Sequence, residues 1–306
     1  MLITKPGRLS EHLDLLGDAA TPFYLMRGEE KWALVDAAIA PMVPELQKQL
    51  GAFPEVQARL KYLLITHSHF DHVGGLSALR RLFPGAEVVA SAGTKEVFSK
   101  PGPMNYIRSM NDVLVKLARV EAGGVDLSVE DGIPVTRVVK EGDRIDLGGG
   151  VRIEVYNAPG HSRCSLAFLL VPDQAIFSGE AMGYYNGAGK VLSEGLSEFQ
   201  AYLDSIEKMG RLPVKTICLP HNGVLTGNEA QGYFKTAHES GVKFRDEVRE
   251  FFAQSRSDED IIRHYIDQDY KGLIRLQPEL VFRQNLTAML KAIRKESDAD
   301  GARGGN

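Results

Sequence analysis

Ile65-Thr66-His67-Ser68-His69-Phe70-Asp71-His72-Val73-Gly74-Gly75 follows directly on the apolar run Tyr62-Leu63-Leu64. A short apolar run of that kind reads as a buried strand, so the polar cluster falls where a strand ends. Four imidazole or carboxylate groups lie between His67 and His72, and three of the chain's eight histidines are among them. A chance gathering of histidines at a polar turn explains this poorly. His67 and His69 are two residues apart, so in extended backbone both side chains point the same way and can grip one cation. Asp71 and His72 are offset by the turn that follows and can address a second cation beside the first. Imidazole nitrogen with carboxylate oxygen suits a borderline divalent ion such as zinc.

Around this segment, strands and helices alternate. Phe23-Tyr24-Leu25-Met26 and Trp32-Ala33-Leu34-Val35 flank Arg27-Gly28-Glu29-Glu30, which predicts a β-hairpin. Helices are expected over residues 43–50 and after Gly74-Gly75, and a strand over 87–90. Met104, Ile107, Met110, Val113, Leu114, Leu117 and Val120 recur at helical spacing, which predicts a helical insertion over 103–122. Strands resume over 136–139, 144–147, 151–156, 165–171 and 175–177. A helix then starts with Ser197 and Gln200 in capping-box positions, and 216–219 reads as the last strand. Beyond Gly227 the pattern is helical, with Pro278 at a first-turn position before Phe282, Leu286, Met289 and Ile293. The expected organisation is a core domain over 1–227, a C-terminal helical extension over 228–296 capping it, and a disordered polar tail over 297–306.

Composition narrows the function. The 306 residues are 43% hydrophobic and 25% charged, ordinary for a globular protein. A net charge of −4 argues against a nucleic-acid partner. No apolar run approaches the roughly 20 residues that span a bilayer, so no membrane partner is expected. The N-terminus shows no secretory pattern, which makes the cytoplasm the expected compartment. Cys164 and Cys218 fit reduced, buried thiols.

Thr-His-x-His-x-Asp-His followed by Gly-Gly resembles the signature of the metallo-β-lactamase fold superfamily. Three later stretches are similar to that family's further motifs, in the family's order: Asn157-Ala158-Pro159-Gly160-His161-Ser162, Ile176-Phe177-Ser178-Gly179-Glu180 and Leu219-Pro220-His221-Asn222-Gly223. The resemblance covers residues 20 to 227. It implies an α+β fold, a four-layer αββα sandwich, here with the helical insertion and the C-terminal extension. It also implies two divalent metal ions per chain, zinc first and iron or manganese as alternatives. His67, His69 and His161 would form one site, Asp71, His72 and His221 the other, with Glu180 between them. Asp36 sits where the family has a structural aspartate. Glu180 departs from the family pattern, which has aspartate there, and Asn222 departs mildly from a glycine.

The implied chemistry is hydrolysis of a small-molecule ester, thioester or lactone by a hydroxide held on the metals, with Asp71 orienting the nucleophile or accepting a proton. Missing secretory, flavin-binding and added nuclease segments weaken the periplasmic lactamase, oxygen-reductase and ribonuclease branches. Leu64-Ile65-Thr66-His67 with Phe70-Asp71-His72, the inserted helix, and Pro278-Glu279-Leu280 entering the last helix also resemble the thioesterases of quinolone-signal biosynthesis, whose inserted and terminal helices cap the metal site. Tyr184, Tyr185, Met104 and Tyr106 are the candidate substrate contacts. The capping helices could equally build a homodimer face. Rival readings are a metal-dependent phosphodiesterase and a catalytically idle metal-binding sensor or partner-binding protein.

Overall fold

The structure, a computed structural model, describes residues 1–118 and 124–304, with side chains described through Asp298. Its frame is two seven-stranded sheets packed face to face. One holds the hairpin Pro22–Arg27 and Trp32–Val35, followed by Leu60–Leu64, Glu87–Ala90 and Arg137–Val138. The other runs from Leu2–Ile3 through Val224–Thr226, Thr216–Cys218, Ala175–Phe177, Leu166–Val171 and Val151–Asn157 to Arg144–Gly148. Most inner strands, such as Pro22–Arg27, Leu60–Leu64 and Leu166–Val171, are buried on both faces and read as near-continuous apolar runs. Val151–Asn157 instead alternates between buried and partly exposed residues. In Pro22–Arg27, Tyr24 and Met26 enter the core between the sheets, where they meet Leu147, Phe168 and Phe177. Phe23 and Leu25 point the other way, into the helical layer with Leu76, Leu79 and Met104.

That outer layer consists of Val43–Leu50, Leu76–Leu82, Ala92–Phe98 and Pro101–Ala118. The second sheet is covered by Phe199–Gly210, Asn228–Ala253, Asp258–Asp269 and the helix from Glu279. Leu203, Val248, Ile261 and Leu290 from these helices share one core with Leu169, Ile176 and Ile217 of the sheet. The four layers are therefore helix, sheet, sheet, helix, as expected.

Several local readings need correction. The helix after residue 197 begins at Phe199 without a side-chain cap. The Ser197 hydroxyl donates instead to Gly160 O at 2.9 Å, the Gln200 backbone N–H donates to Glu296 at 2.8 Å and the Gln200 side-chain amide donates to Asp204 at 2.8 Å, so no capping box forms. Thr216–Cys218 is not the last strand, because Val224–Thr226 returns antiparallel beside it. Of the apolar stripe on Pro101–Ala118, Met104 and Ile107 are buried, but Val113 and Leu117 are exposed because the helix runs past the core. Val120, placed on the same stripe, lies outside the described residues. The final helix continues through Gly304, over most of the 297–306 stretch expected to be disordered. No proline interrupts it, and its Ser, Asp and Ala residues can extend a helix already anchored by Ile293.

Strand direction fixes where function sits. Trp32–Val35, Leu60–Leu64, Glu87–Ala90 and Arg137–Val138 run parallel. So do Ala175–Phe177 and Thr216–Cys218 in the other sheet. Asp36, Thr66 and His67 leave the ends of the first set, and Glu180 and His221 leave the ends of the second. One edge of the sandwich collects them all, on loops held by a rigid frame.

Candidate metal centre and its pocket

Asp36 ties the strand ends together. Its Oδ1 accepts the Thr66 backbone N–H at 2.8 Å, and the Thr66 hydroxyl donates to Oδ2 at 2.8 Å. The same Oδ2 accepts from His72 Nδ1 at 2.8 Å, so the ring's Nε2 is aimed inward.

His67, His69 and His161 bring one nitrogen each to a common point, all within 4.8 Å of one another. His161 Nε2 lies 3.0 Å from His69 Nδ1. The outer nitrogen of His161 donates to Glu194 O at 2.8 Å, which leaves the inner lone pair facing the cluster. Gly160 makes this placement feasible. Its φ is +127°, and a Cβ there would lie 2.2 Å from the backbone nitrogen of Tyr202.

Asp71, His72, Glu180 and His221 form a second group of the same compactness. His221 donates from Nδ1 to Ala20 O at 2.8 Å and presents Nε2 to Glu180 Oε1 at 3.1 Å and to Asp71 at 3.5 Å. Glu180 Oε1 is also 3.0 Å from His72 Nε2. The other oxygen, Oε2, lies 3.5 Å from His67 Nε2 and 3.8 Å from His161 Nε2. One carboxylate thus faces both groups. It rides on the short 3-10 turn Gly179–Met182, where Gly179 at φ +53° lets the backbone pass His67 closely.

The donor atoms suit cations. Glu180 Oε2 and His67 Nε2 are buried and have no hydrogen-bond partner among the described residues. Burial holds His67, His69 and His161 below the ordinary imidazole range, His161 at about 4, with the neighbouring rings adding to the effect on His67 and His161. Those three are neutral lone-pair donors at neutral pH. In the second group burial opposes charge but the partners prevail. Glu180, Asp36 and Asp71 hold His72 protonated, and bonds to Asp71 and Glu180 raise His221 to about 10. His72 and His221 in turn outweigh burial at the two carboxyls, bringing Asp71 down to about 2 and Glu180 well below its usual range.

A cavity of about 400 Å³ opens over both groups. Phe70, Ile107 and Met110 give it apolar lining, and Val281, Gln284 and Asn285 of the last helix line it as well. Of the proposed substrate contacts, Tyr106 and Tyr184 line this cavity. Met104 does not; it is fully buried in the helical layer, and Ile107 and Met110 face the pocket instead. Tyr185 does not either, since successive strand residues point to opposite faces and Tyr185 packs near Tyr233. The Tyr184 hydroxyl is committed to Leu273 O at 3.1 Å. Glu194 and Asn285 line the cavity and were not foreseen, for neither belongs to a motif. Cys164 lies against the hydroxyls of Ser68 and Ser162 and is in neither cation-binding group.

An αββα sandwich with a three-histidine group beside a His-carboxylate group at one sheet edge defines a class of metal-binding proteins. The chain belongs to the metallo-β-lactamase superfamily, whose family model matches residues 16–221. Members are mainly metal-dependent hydrolases, and the two groups here are of the kind that hold divalent ions. The chain is 25% identical over 213 residues to a metallo-β-lactamase fold-containing protein of Sulfurisphaera tokodaii, covering 69% of this chain and 76% of that one. It is 28% identical over 194 residues to a hydroxyacylglutathione hydrolase of Stenotrophomonas maltophilia, covering 62% of this chain. That match spans only 59% of the relative's length, and a match to the Polaromonas enzyme of the same name spans 51%. Among solved structures, an archaeal superfamily protein from Sulfolobus tokodaii superposes with a TM-score of 0.60 at 20% identity, over 94% of this chain and 99% of that one. The subclass B3 metallo-β-lactamase of Bradyrhizobium japonicum gives 0.59 at 19% identity, over 83% and 97%. Both share the fold. Among the described residues no helix is long and apolar enough to cross a membrane.

Proposed function

We propose that the chain hydrolyses a small ester, thioester or lactone, thioesters first, with two divalent cations held by His67, His69, His161, Asp71, His72, Glu180 and His221. The observation that carries this reading is the split carboxylate of Glu180, one oxygen toward each group, at the floor of a half-apolar cavity. Such cations, zinc foremost, would supply a water acidified toward neutral pH and an electrophile for the carbonyl oxygen. Asp71 is the group placed for proton work, being the more open of the two carboxylates and bordering the cavity. It orients the attacking water and receives its proton. Phe70, Ile107 and Met110 exclude bulk water from the acyl side of the pocket.

The likeness to relatives named hydroxyacylglutathione hydrolase puts thioesters first, and the helical cap agrees with the resemblance to the quinolone-signal thioesterases. A phosphodiester is a weaker fit. It brings a negative charge into a cavity whose described lining residues include no lysine or arginine.

The test is elemental analysis followed by a substrate panel. About two metals per chain are expected, with thioester turnover that chelation abolishes and metal restores. Fast phosphodiester cleavage with inert thioesters would replace this reading by its rival. Full metal content without turnover of any panel member would favour a metal-binding sensor.

A further inference from the structure

Glu194 is 2% exposed, yet its residue borders the cavity. Its backbone carbonyl serves His161, but its carboxyl group has another role. Among the described residues the carboxyl has one hydrogen-bond partner, Asn285 Nδ2 at 3.1 Å, reaching in from the last helix. A carboxyl group keeps acceptor sites whether or not it carries its proton, and one bond to Asn285 leaves part of that capacity unspent. A buried polar pair of this kind costs stability unless its remaining groups find partners. Tethering the last helix accounts for one bond. It does not explain why the pair borders the substrate cavity, where Leu196 and Val281 are apolar neighbours.

We infer that Glu194, positioned by Asn285, is the specificity element of this pocket, accepting a hydrogen bond from an N–H or O–H on an otherwise apolar acyl group. The inference rests on the hydrolase reading above. It also sets what the pocket refuses. Its described lining residues include no lysine or arginine, so an acyl group bearing its own carboxylate finds neither to pair with beside Glu194. The substrate class is therefore an uncharged acyl ester or thioester with one donor group, not a dicarboxylic half-ester.

The experiment uses zinc-loaded protein and three N-acetylcysteamine thioesters: 3-hydroxyhexanoyl, hexanoyl and glutaryl. The hydroxylated substrate is expected to exceed hexanoyl in kcat/KM by about tenfold or more, as sites built to bond a polar group reject analogues lacking it, with glutaryl lowest. Glu194→Leu should bring the hydroxyl preference to within about twofold, and Glu194→Gln, whose amide oxygen still accepts, should keep part of it. Metal content of each variant is measured alongside. Calorimetric binding of the matching free acids gives a second readout that needs no turnover. If thioesters are hydrolysed but the preference is absent, or survives Glu194→Leu, the inference is overturned while the hydrolase reading stands. If none is hydrolysed, that reading fails, and acid binding decides: tighter hydroxy-acid binding lost in Glu194→Leu supports the specificity role, and equal binding overturns it.

Discussion

Glu180 Oε2 and His67 Nε2 face each other across 3.5 Å, both buried and both without a hydrogen-bond partner among the described residues. The separation is too long for a hydrogen bond. Two buried electron-pair donors left in this state are costly alone and satisfied together by one cation. On the far side of the same carboxylate, Oε1 lies 3.0 Å from His72 Nε2 and 3.1 Å from His221 Nε2. The longer glutamate side chain, in place of the aspartate expected from the family pattern, therefore still reaches both groups.

Glu180→Gln keeps the size and removes the charge that offsets repulsion between two dications. Metal content should fall toward one per chain, with turnover down at least about tenfold. Glu180→Asp shortens the reach by one methylene, and contacts at 3.0 Å on one side and 3.5 Å on the other cannot both be kept. Its metal content should lie between those of the parent and Gln forms. Full content and rate in Glu180→Gln would make this residue a bystander.

Asp36 touches neither the cavity nor the predicted reacting atoms, yet it orients His72 and Thr66. Asp36→Asn should weaken cation binding by about 10–100-fold, the usual scale for a hydrogen-bond partner of a ligating histidine. Chelator competition measures this. Unchanged affinity would mean that His72 is held in place by packing alone.

The seven candidate ligands were legible because each lies in a short motif directly after an apolar strand, and parallel strands deliver their ends to one edge. His67, His161, Glu180 and His221 converge for that reason. Glu194 was not legible: it follows the short strand Val191–Leu192 in the chain, and only folding places it beside Asn285, 91 residues away. The reading of the inserted helix as a cap placed Met104 and Tyr106 in the pocket together. Two residues apart on a helix they face different ways, and the core took Met104 while Tyr106 stayed at the pocket. The Ser197 cap failed for a similar reason, since Gly160 O offered its hydroxyl a tertiary partner.

The inserted helix separates packing from specificity. Met104→Ala empties a fully buried position and should cost about 2–5 kcal/mol of stability, read as a lower melting temperature. Tyr106 is 54% exposed at the pocket, so Tyr106→Ala should leave the melting temperature and metal content unchanged while altering KM among acyl chains. Selectivity that stays constant in Tyr106→Ala and Met110→Ala would reduce this helix to a cover for the sheet.

The two groups should differ in how protons compete with metal. His67, His69 and His161 are already neutral at pH 7, so a cation entering there displaces no proton. His72 and His221 are held protonated in the metal-free protein by Glu180, Asp71 and Asp36, and both protons must leave before Nε2 can ligate. The first cation should therefore bind with little pH dependence between pH 6 and 8. The second should tighten steeply as pH rises, releasing up to two protons, which calorimetry in buffers of different ionisation enthalpy counts directly. Stability of the metal-free form follows the opposite trend. The folded-state pKa of His221, about 10, exceeds the unfolded value of about 6.5, so its contribution is full below pH 6.5 and lost as pH rises through 10. The melting temperature of the metal-free protein should fall across that interval, and that of the loaded protein, whose His221 is held by metal instead of a proton, should not. Equal pH slopes for the two cations, with no proton release at the second, would show that His72 and His221 are neutral before metal arrives.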